Sequence, residues 1–252
     1  LPNGAIMLSM PEYIKEVSRK WIPEYFDGSK PEWLLAGKAL HDALDSLASL
    51  SAEPCTASRA AVRDGQSITG ALKWPERCVL PILTLMVHRL SSAAKNAPTG
   101  FMAAAKSVLW VMAEYRDIGL VFGGGDLEER EHISGALSTT FKMDKGAPAA
   151  LENVNDATFG REPPLEVIGI LVTYAGAAVH HSTKRMRVRV SSTQEGESIA
   201  SNKGSEYTIV GIDTARALGD PVEGPAYVWT DNMSNALVGS TFGSATRSRY
   251  FL

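Results

Sequence analysis

The spacing of the apolar residues changes near residue 150, and this change constrains the fold more than any other feature of the chain. Before it, apolar residues recur three and four positions apart, as Leu40, Leu44 and Leu47 do, which is the pattern of amphipathic helices. After it, short runs rich in Val, Ile and Leu, such as residues 166–174, are typical of strands. The sequence therefore predicts a helical part followed by an α/β part with a mixed sheet and flanking helices.

The helical part is predicted to cover residues 1–122. Its apolar stripes predict helices in four stretches, at residues 14–21, 40–47, 79–90 and 101–115. Ser9 and Glu12 fit a capping box at the start of the first of these helices. A short strand at residues 120–122 ends this part. The following residues, 123–149, mix glycines with acidic residues and are predicted to be a connector.

The α/β part is predicted to cover residues 150–252. After a first short strand, the patterns predict strand, strand, strand, helix, strand and helix, at residues 166–174, 177–183, 185–190, 193–218, 226–230 and after 231. The third of these six elements alternates apolar and basic residues, so that Arg185, Arg187 and Arg189 share one face, with Lys184 beside them. These four side chains are candidate contacts for nucleic-acid phosphates, and a solvated strand face is the alternative.

The composition argues against several classes of function. The formal net charge of -3 gives no general attraction to nucleic acid, so contact with a polynucleotide needs a local basic patch. The two cysteines, Cys55 and Cys78, form no CxxC pair, which argues against a disulfide framework or a structural zinc site and suits a reducing compartment. No apolar run reaches the roughly 18 residues that a membrane span requires, so no membrane association is expected.

Three acidic residues lie where strand ends and a helix start would bring side chains to one edge of the sheet: Asp156, Glu197 and Asp231. Carboxylates held close together repel one another unless cations lie between them, and oxygen ligands suit Mg²⁺ or Mn²⁺. Two such ions about 3.5–4 Å apart can activate a water and stabilise the leaving oxygen of a phosphodiester. Asp156 also fits a turn, and Asp231 also fits a helix N-cap. Glu195 competes with Glu197, and it also fits a capping box.

The order of short motifs along the chain resembles the C-terminal region of copia-type retrotransposon polyproteins. Residues 190–201, VSSTQEGESIAS, resemble the family's "LSSTEAEYIA" motif. Residues 155–160, NDATFG, resemble "SDADWAG", and residues 230–236, TDNMSNA, resemble "xDNQSAI". In the first part, residues 6–14 resemble "ISLSQxxYI" at the end of the reverse transcriptase, and residues 103–122 resemble "AAKRVLRYLKGTxDYGLVY". The matches follow the family order over nearly the whole chain.

This resemblance implies that the helical part corresponds to the thumb and connection region of a reverse transcriptase. It implies that residues 150–252 form a ribonuclease H-like domain, truncated at its C-terminal end. The implied reaction is hydrolysis of the RNA strand of RNA–DNA hybrids, with Asp156, Glu197 and Asp231 as ligands of two Mg²⁺ or Mn²⁺ ions. The implied partners are the hybrid and the rest of the polyprotein. The implied location is intracellular, in cytoplasmic virus-like particles or in the nucleus.

The chain departs from the family pattern at three places. Thr158 stands where the family carries a second acid, and residues 74–76, Trp-Pro-Glu, replace its Arg-Pro-Asp element. The family's final acid has no counterpart, because Tyr250 holds the loosely matching position and no acidic residue follows Asp231. These departures leave two alternatives open. One is a catalytically inactive retroelement remnant with a nucleic-acid-binding or structural role, and the other is a protein-interaction module.

Overall fold

The computed structural model describes residues 6–122, 151–158, 166–186, 188, 190–219 and 226–230. Arg187, Arg189 and Asp231 lie outside the described residues, as do the predicted connector and the predicted helix after Asp231. The described residues combine helices with a mixed four-stranded sheet, so the predicted α/β class is confirmed.

Residues 6–122 are mainly helical. Their helices are α1 (Pro11–Trp21), α2 (Gly37–Ser49), α3 (Arg59–Cys78), α4 (Thr84–Ala93) and α5 (Phe101–Glu114). The first and last segments, β1 (Ile6–Leu8) and β2 (Leu120–Phe122), pair antiparallel. The helices enclose one apolar core, whose fully buried side chains include Ile14, Leu44, Ile68, Leu72 and Leu109. Of the helices that the structure describes, none is long and apolar enough to cross a membrane.

Helix α3 is absent from the sequence prediction, and it contains Pro75 in its last turn. A proline has no N–H to donate to the carbonyl four residues back, so it normally breaks a helix. Here that carbonyl, on Ala71, accepts a hydrogen bond from the Tyr13 hydroxyl of α1 at 3.3 Å. The carbonyl of Pro75 itself accepts from the N–H groups of Val79 and Leu80, where the helix ends.

Two helix starts also differ from the sequence prediction. Helix α1 begins at Pro11 with Met10 as its N-cap and no side-chain cap, so the predicted capping box is wrong. Proline suits the first helical position, because an N–H there would have no partner within the helix. Helix α4 begins at Thr84 rather than at residue 79, because a short 3-10 turn, Pro81–Leu83, precedes it.

The described residues after 150 form a four-stranded sheet and one long helix. The strands are β3 (Leu151–Ala157), β4 (Val167–Tyr174), β5 (Ala177–Arg185) and β6 (Tyr227–Trp229), and α6 (Thr193–Ala217) lies between β5 and β6 in the chain. The order across the sheet is β5–β4–β3–β6. Strands β3, β4 and β5 are antiparallel neighbours, whereas β6 runs parallel to β3. A parallel neighbour requires a crossover connection, and α6 forms part of it.

The predicted strand at residues 185–190 is wrong for the described residues that follow Arg185. Met186 and Val190 lie outside any strand. Strand β5 ends at Arg185 because its neighbour β4 begins at Val167, the residue with which Arg185 pairs. Beyond that point no strand residue of β4 remains to continue the ladder. The side chains of Met186 and Val190 are instead buried in the core between the sheet and α6.

Small residues on one face of α6 let it approach the sheet closely. These buried residues lie four or seven positions apart and so share one side of the helix: Gly196, Ala200, Gly204, Thr208 and Ala215. A Cβ atom at position 204 would lie 2.3 Å from Nδ2 of Asn153 in β3. Asn153 is fully buried and Asn155 is nearly so. The Oδ1 of Asn155 accepts a hydrogen bond from Ser201 Oγ at 2.8 Å. The contact between α6 and β3 is therefore polar at its centre and has no spare volume.

Two adjacent histidines of β5 face opposite sides of the sheet, as alternation along a strand requires. His180 stacks on Tyr207 of α6, with ring centroids 3.9 Å apart. His181 faces the helical part, where its Nδ1 lies 2.8 Å from Thr84 Oγ1 and 3.5 Å from Glu76 Oε1. The sheet is thus covered by α6 on one face, while α3 and α4 contact β5 on the other.

This second interface is expected to make the stability of the protein depend on pH. Burial lowers the pKa of His181 below 6.5, so the unfolded chain takes up a proton before the folded chain does. The free energy of unfolding should therefore fall as the pH drops below about 6.5. Burial raises the pKa of Glu76 above 4.5, which has the opposite sign, because acidification relieves the cost of its buried charge.

Urea unfolding between about pH 7.5 and about pH 5.5 measures both contributions. His181→Gln should show a smaller loss of stability on acidification than the wild-type chain. Glu76→Gln should show a larger loss, because the opposing contribution is gone. Equal pH dependence in the wild type and His181→Gln would contradict the assignment.

Candidate functional site

The C-terminal end of β3 carries a backbone N–H that lies beyond the ladder with β6. That ladder ends where Val154 pairs with Trp229, and Ala157 lies three residues farther along β3. The N–H of Thr158 is directed at β4, where it donates to the carbonyl of Val167 at 3.0 Å. Because successive residues of a strand point to opposite sides, the N–H of Ala157 is directed away from β4, toward the side of the sheet on which β6 lies.

Two carboxylates converge on this N–H. Asp156 Oδ1 accepts a hydrogen bond from the nitrogen of Ala157 at 2.8 Å, and Glu197 Oε1 accepts one from the same nitrogen at 3.2 Å. Because both oxygens contact the same nitrogen, the distance between them cannot exceed the sum of these two hydrogen-bond lengths. Two of the three acids singled out in the sequence thus meet at one edge of the sheet, one from β3 and one from α6.

The two carboxylates differ in their exposure to solvent. Asp156 is exposed at the end of its strand, whereas Glu197 is only 2% exposed. The start of α6 lies over the end of β3, because a Cβ at Gly196 would meet the Cβ of Ala157 at an ordinary contact distance of 3.4 Å. Asp156 points to the face away from α6 and Glu197 comes from the α6 side, so the two carboxylates share the N–H of Ala157 from opposite faces of the strand. Carboxylate oxygens in this arrangement are the donors that Mg²⁺ and Mn²⁺ prefer.

Glu195, the alternative candidate to Glu197 for the site, forms hydrogen bonds that cap the start of α6. Ser192 is the N-cap, and its Oγ accepts from the N–H of Glu195 at 3.2 Å. The carboxylate of Glu195 turns back to Ser191, accepting from its N–H at 2.7 Å and from its hydroxyl at 2.9 Å. The hydrogen bonds from the Ser191 backbone and then from its hydroxyl lower the pKa of Glu195. The geometry therefore favours helix capping for Glu195 and leaves Glu197 at the site.

The predicted basic residues do not form one surface in the described structure. The ammonium of Lys184 donates to the Tyr207 hydroxyl and lies 4.7 Å from the centre of that ring, on the face that α6 covers. Arg185 is exposed and points to the opposite face. Arg187 and Arg189 lie outside the described residues, as does Asp231, the third predicted acid, which follows Thr230 directly in the chain.

Sequence reasoning missed the side chains that support the site. Asn155 lies two residues before Ala157 on the face toward α6, where it bonds to Ser201 and donates from Nδ2 to Asn153 Oδ1 at 3.4 Å. These polar groups hold α6 against β3 immediately behind the carboxylates. A signal was present, because Asn153 and Asn155 occupy the same face of a strand whose other inward residues are apolar. Buried amides of this kind need fixed partners and therefore fix the geometry around them.

The described residues fit a divalent cation in part. Asp156 and Glu197 supply oxygen donors from two elements, but no group of three or more His, Cys, Asp or Glu side chains in the described ranges is placed to hold a metal ion. Thr158, at the place of the family's second acid, is bonded to β4, where its hydroxyl accepts from Val167 N–H at 2.8 Å. Comparisons of the chain with family models, with curated proteins and with solved structures find no significant match.

Proposed function

We propose that the chain belongs to a copia-type retrotransposon polyprotein and that residues 150–252 form a ribonuclease H-like domain acting on RNA–DNA hybrids. The observation that supports this most is the convergence of Asp156 and Glu197 on the N–H of Ala157. The mixed sheet, with a long helix between β5 and β6, also agrees with the predicted order of elements apart from the strand expected at residues 185–190. The proposed location is intracellular, in virus-like particles or in the nucleus.

In this proposal Asp156 and Glu197 hold a divalent cation, and Asp231 is a third ligand. Bound Mg²⁺ or Mn²⁺ would activate a water and stabilise the leaving oxygen of the RNA strand. The chain's own residues fix the position of the carboxylates. The N–H of Ala157 orients one oxygen of each, and the Asn155–Ser201 hydrogen bond holds the helix that carries Glu197. A hybrid duplex would be recognised by its shape and its 2′-hydroxyls rather than by its sequence.

Cleavage of a labelled RNA–DNA hybrid in Mg²⁺ and in Mn²⁺ tests the proposal. The wild-type chain should cut the RNA strand, and Asp156→Asn should cut it at least about 100-fold more slowly, because even the outer partners of metal ligands contribute about 10–100-fold. Asp156 is exposed, so the substitution should leave the unfolding transition unchanged. The proposal fails if neither divalent ion supports cleavage by the wild-type chain or by a longer chain with the family's final acid.

A second candidate is a module that binds nucleic acid without cleaving it. The observation that favours it is the number of acids at the site, since the described residues bring two carboxylates together and no third. In that case the wild-type chain and Asp156→Asn should bind the hybrid equally well. Mn²⁺ titration separates the two candidates, because a catalytic site should bind the ion through Asp156 and a purely structural site should not.

A further inference from the structure

A row of three residues crosses the face of the sheet that is turned away from α6. Asp156 pairs with Gly169 of β4, and Gly169 pairs with Thr183 of β5. Paired residues point to the same face, so the side chains of Asp156 and Thr183 flank a position that has no side chain. The nearest heavy atom to a Cβ built at Gly169 is the Asp156 carbonyl oxygen, 4.0 Å away. A side chain at position 169 would thus find space beside the strands, and the row spans about 10 Å at two strand spacings.

The row ends in a cleft between β5 and the helices α3 and α4. Thr183 lines this cleft together with Lys73, Arg77 and His88. Burial is the main cause of the lowered pKa of His88, and nearby positive charges lower it further; they belong to Arg89, Lys73 and Arg185. Arg185 is not part of the cleft lining, but it follows Thr183 by two residues and therefore lies on the same face of β5, next to the cleft.

Two of these positive side chains have an acidic partner. Arg89 forms an ion pair with Asp45 at 2.7 Å, and Arg77 lies 4.0 Å from Glu76. Within the described ranges, neither Lys73 nor Arg185 lies within ion-pair distance of an Asp or Glu side chain. The lining also contains one acid, Glu76, which is buried. The cleft is thus positively charged and open to solvent, which suits an anion.

We propose that this cleft holds a phosphate of the polynucleotide that is bound at Asp156, with Lys73 and Arg185 as the contacts that position the strand. The inference rests on the proposed function. A row of about 10 Å corresponds to about three nucleotides of duplex, at about 3.4 Å of helix axis per nucleotide. The backbone would pass over Gly169, where no side chain obstructs it. The helical part of the chain would thereby contribute to substrate binding by the sheet.

The test is binding of a fluorescein-labelled RNA–DNA hybrid without divalent ions, so that no cleavage occurs. Lys73→Gln and Arg185→Gln should each weaken binding about 5–10-fold at about 0.1 M salt and reduce the slope of log affinity against log salt by about one. Lys30→Gln is the matched control, because Lys30 is exposed, outside the cleft lining and without an ion pair in the described residues. Gly169→Leu should weaken binding as well, because its side chain fills the position that glycine leaves open.

The outcomes separate this inference from the proposed function. The cleft site alone is overturned if the wild-type chain cleaves the hybrid but Lys73→Gln and Arg185→Gln bind it no more weakly than Lys30→Gln does. Salt-dependent binding that needs Lys73 and Arg185 but gives no cleavage overturns the nuclease function alone. A wild-type chain that binds inorganic phosphate through Lys73 but not the hybrid holds free phosphate only, which overturns the polynucleotide contact. Absence of binding to both probes overturns the site altogether.

Discussion

Glu197→Gln is expected to reduce hybrid cleavage and Mn²⁺ binding by more than about 100-fold, because it removes a charged oxygen donor from the site. The fold should survive the change. A glutamine has nearly the same volume, and its Oε1 can still accept the hydrogen bond that Ala157 N–H donates to Glu197 Oε1 at 3.2 Å. Metal titration and cleavage rates measure the loss, and thermal unfolding checks that the chain stays folded.

Glu195→Gln provides the matched control, two residues earlier in the same helix. Its carboxylate accepts hydrogen bonds from Ser191 and is exposed, so the change should cost up to about 1 kcal/mol of stability through the weakened cap. Cleavage should remain close to that of the wild type. The assignment would be reversed if Glu195→Gln abolished cleavage while Glu197→Gln preserved it.

Gly204→Ala is expected to lower the free energy of unfolding by about 1–3 kcal/mol, the usual cost of forcing an extra atom into a packed core. The new Cβ would lie 2.3 Å from Nδ2 and 2.7 Å from Oδ1 of Asn153. Asn153 is fully buried and lies within hydrogen-bond distance of Asn155, so it has little room to move aside. Denaturant unfolding monitored by circular dichroism measures the change.

Gly70→Ala is the control for helix propensity. Gly70 lies in α3, and a Cβ there would meet nothing within 4 Å, so alanine should stabilise the chain by up to about 1 kcal/mol. In the background of Asn153→Ala, the cost of Gly204→Ala should become smaller, because the obstructing amide is gone. Equal effects of the two glycine substitutions in the wild-type background would show that the α6–β3 contact has room to spare.

The elements that sequence patterns predicted well are those whose signal is local. Helix α6 follows Ser192, whose hydroxyl caps it. Strand β4 is rich in Val, Ile and Leu, and β5 follows it after a short turn. Helix α3 was not predicted although Ser58 supplies a local cap at its start, whereas the hydroxyl that binds the Ala71 carbonyl freed by Pro75 lies 58 residues away in the chain. The strand predicted at residues 185–190 failed for a related reason, since alternation alone cannot show where a neighbouring strand begins.

The candidate site shows the same division between local and distant information. The positions of Asp156 and Glu197 in short motifs were sufficient to select them as candidates. The choice between Glu195 and Glu197 was only partly local. Ser192 marks Glu195 as a capping residue, but the burial of Glu197 depends on which side of α6 meets β3. Lys184 was wrongly grouped with the basic residues beside it in the sequence. Its ammonium donates a hydrogen bond to the Tyr207 hydroxyl, and alternation along a strand does not reveal such a partner.

The parallel pairing of β3 with β6 has a consequence for the synthesis of the chain. Strand β3 leaves the ribosome well before β6, and at about 5–20 residues per second the interval lasts several seconds. During that time one edge of the central strand has unpaired backbone groups, which can pair with strands of other chains. Helix α6 emerges within the interval and covers the buried face of β3 before its edge is closed. Nascent chains arrested before residue 227 should therefore be the species most prone to aggregate or to recruit chaperones.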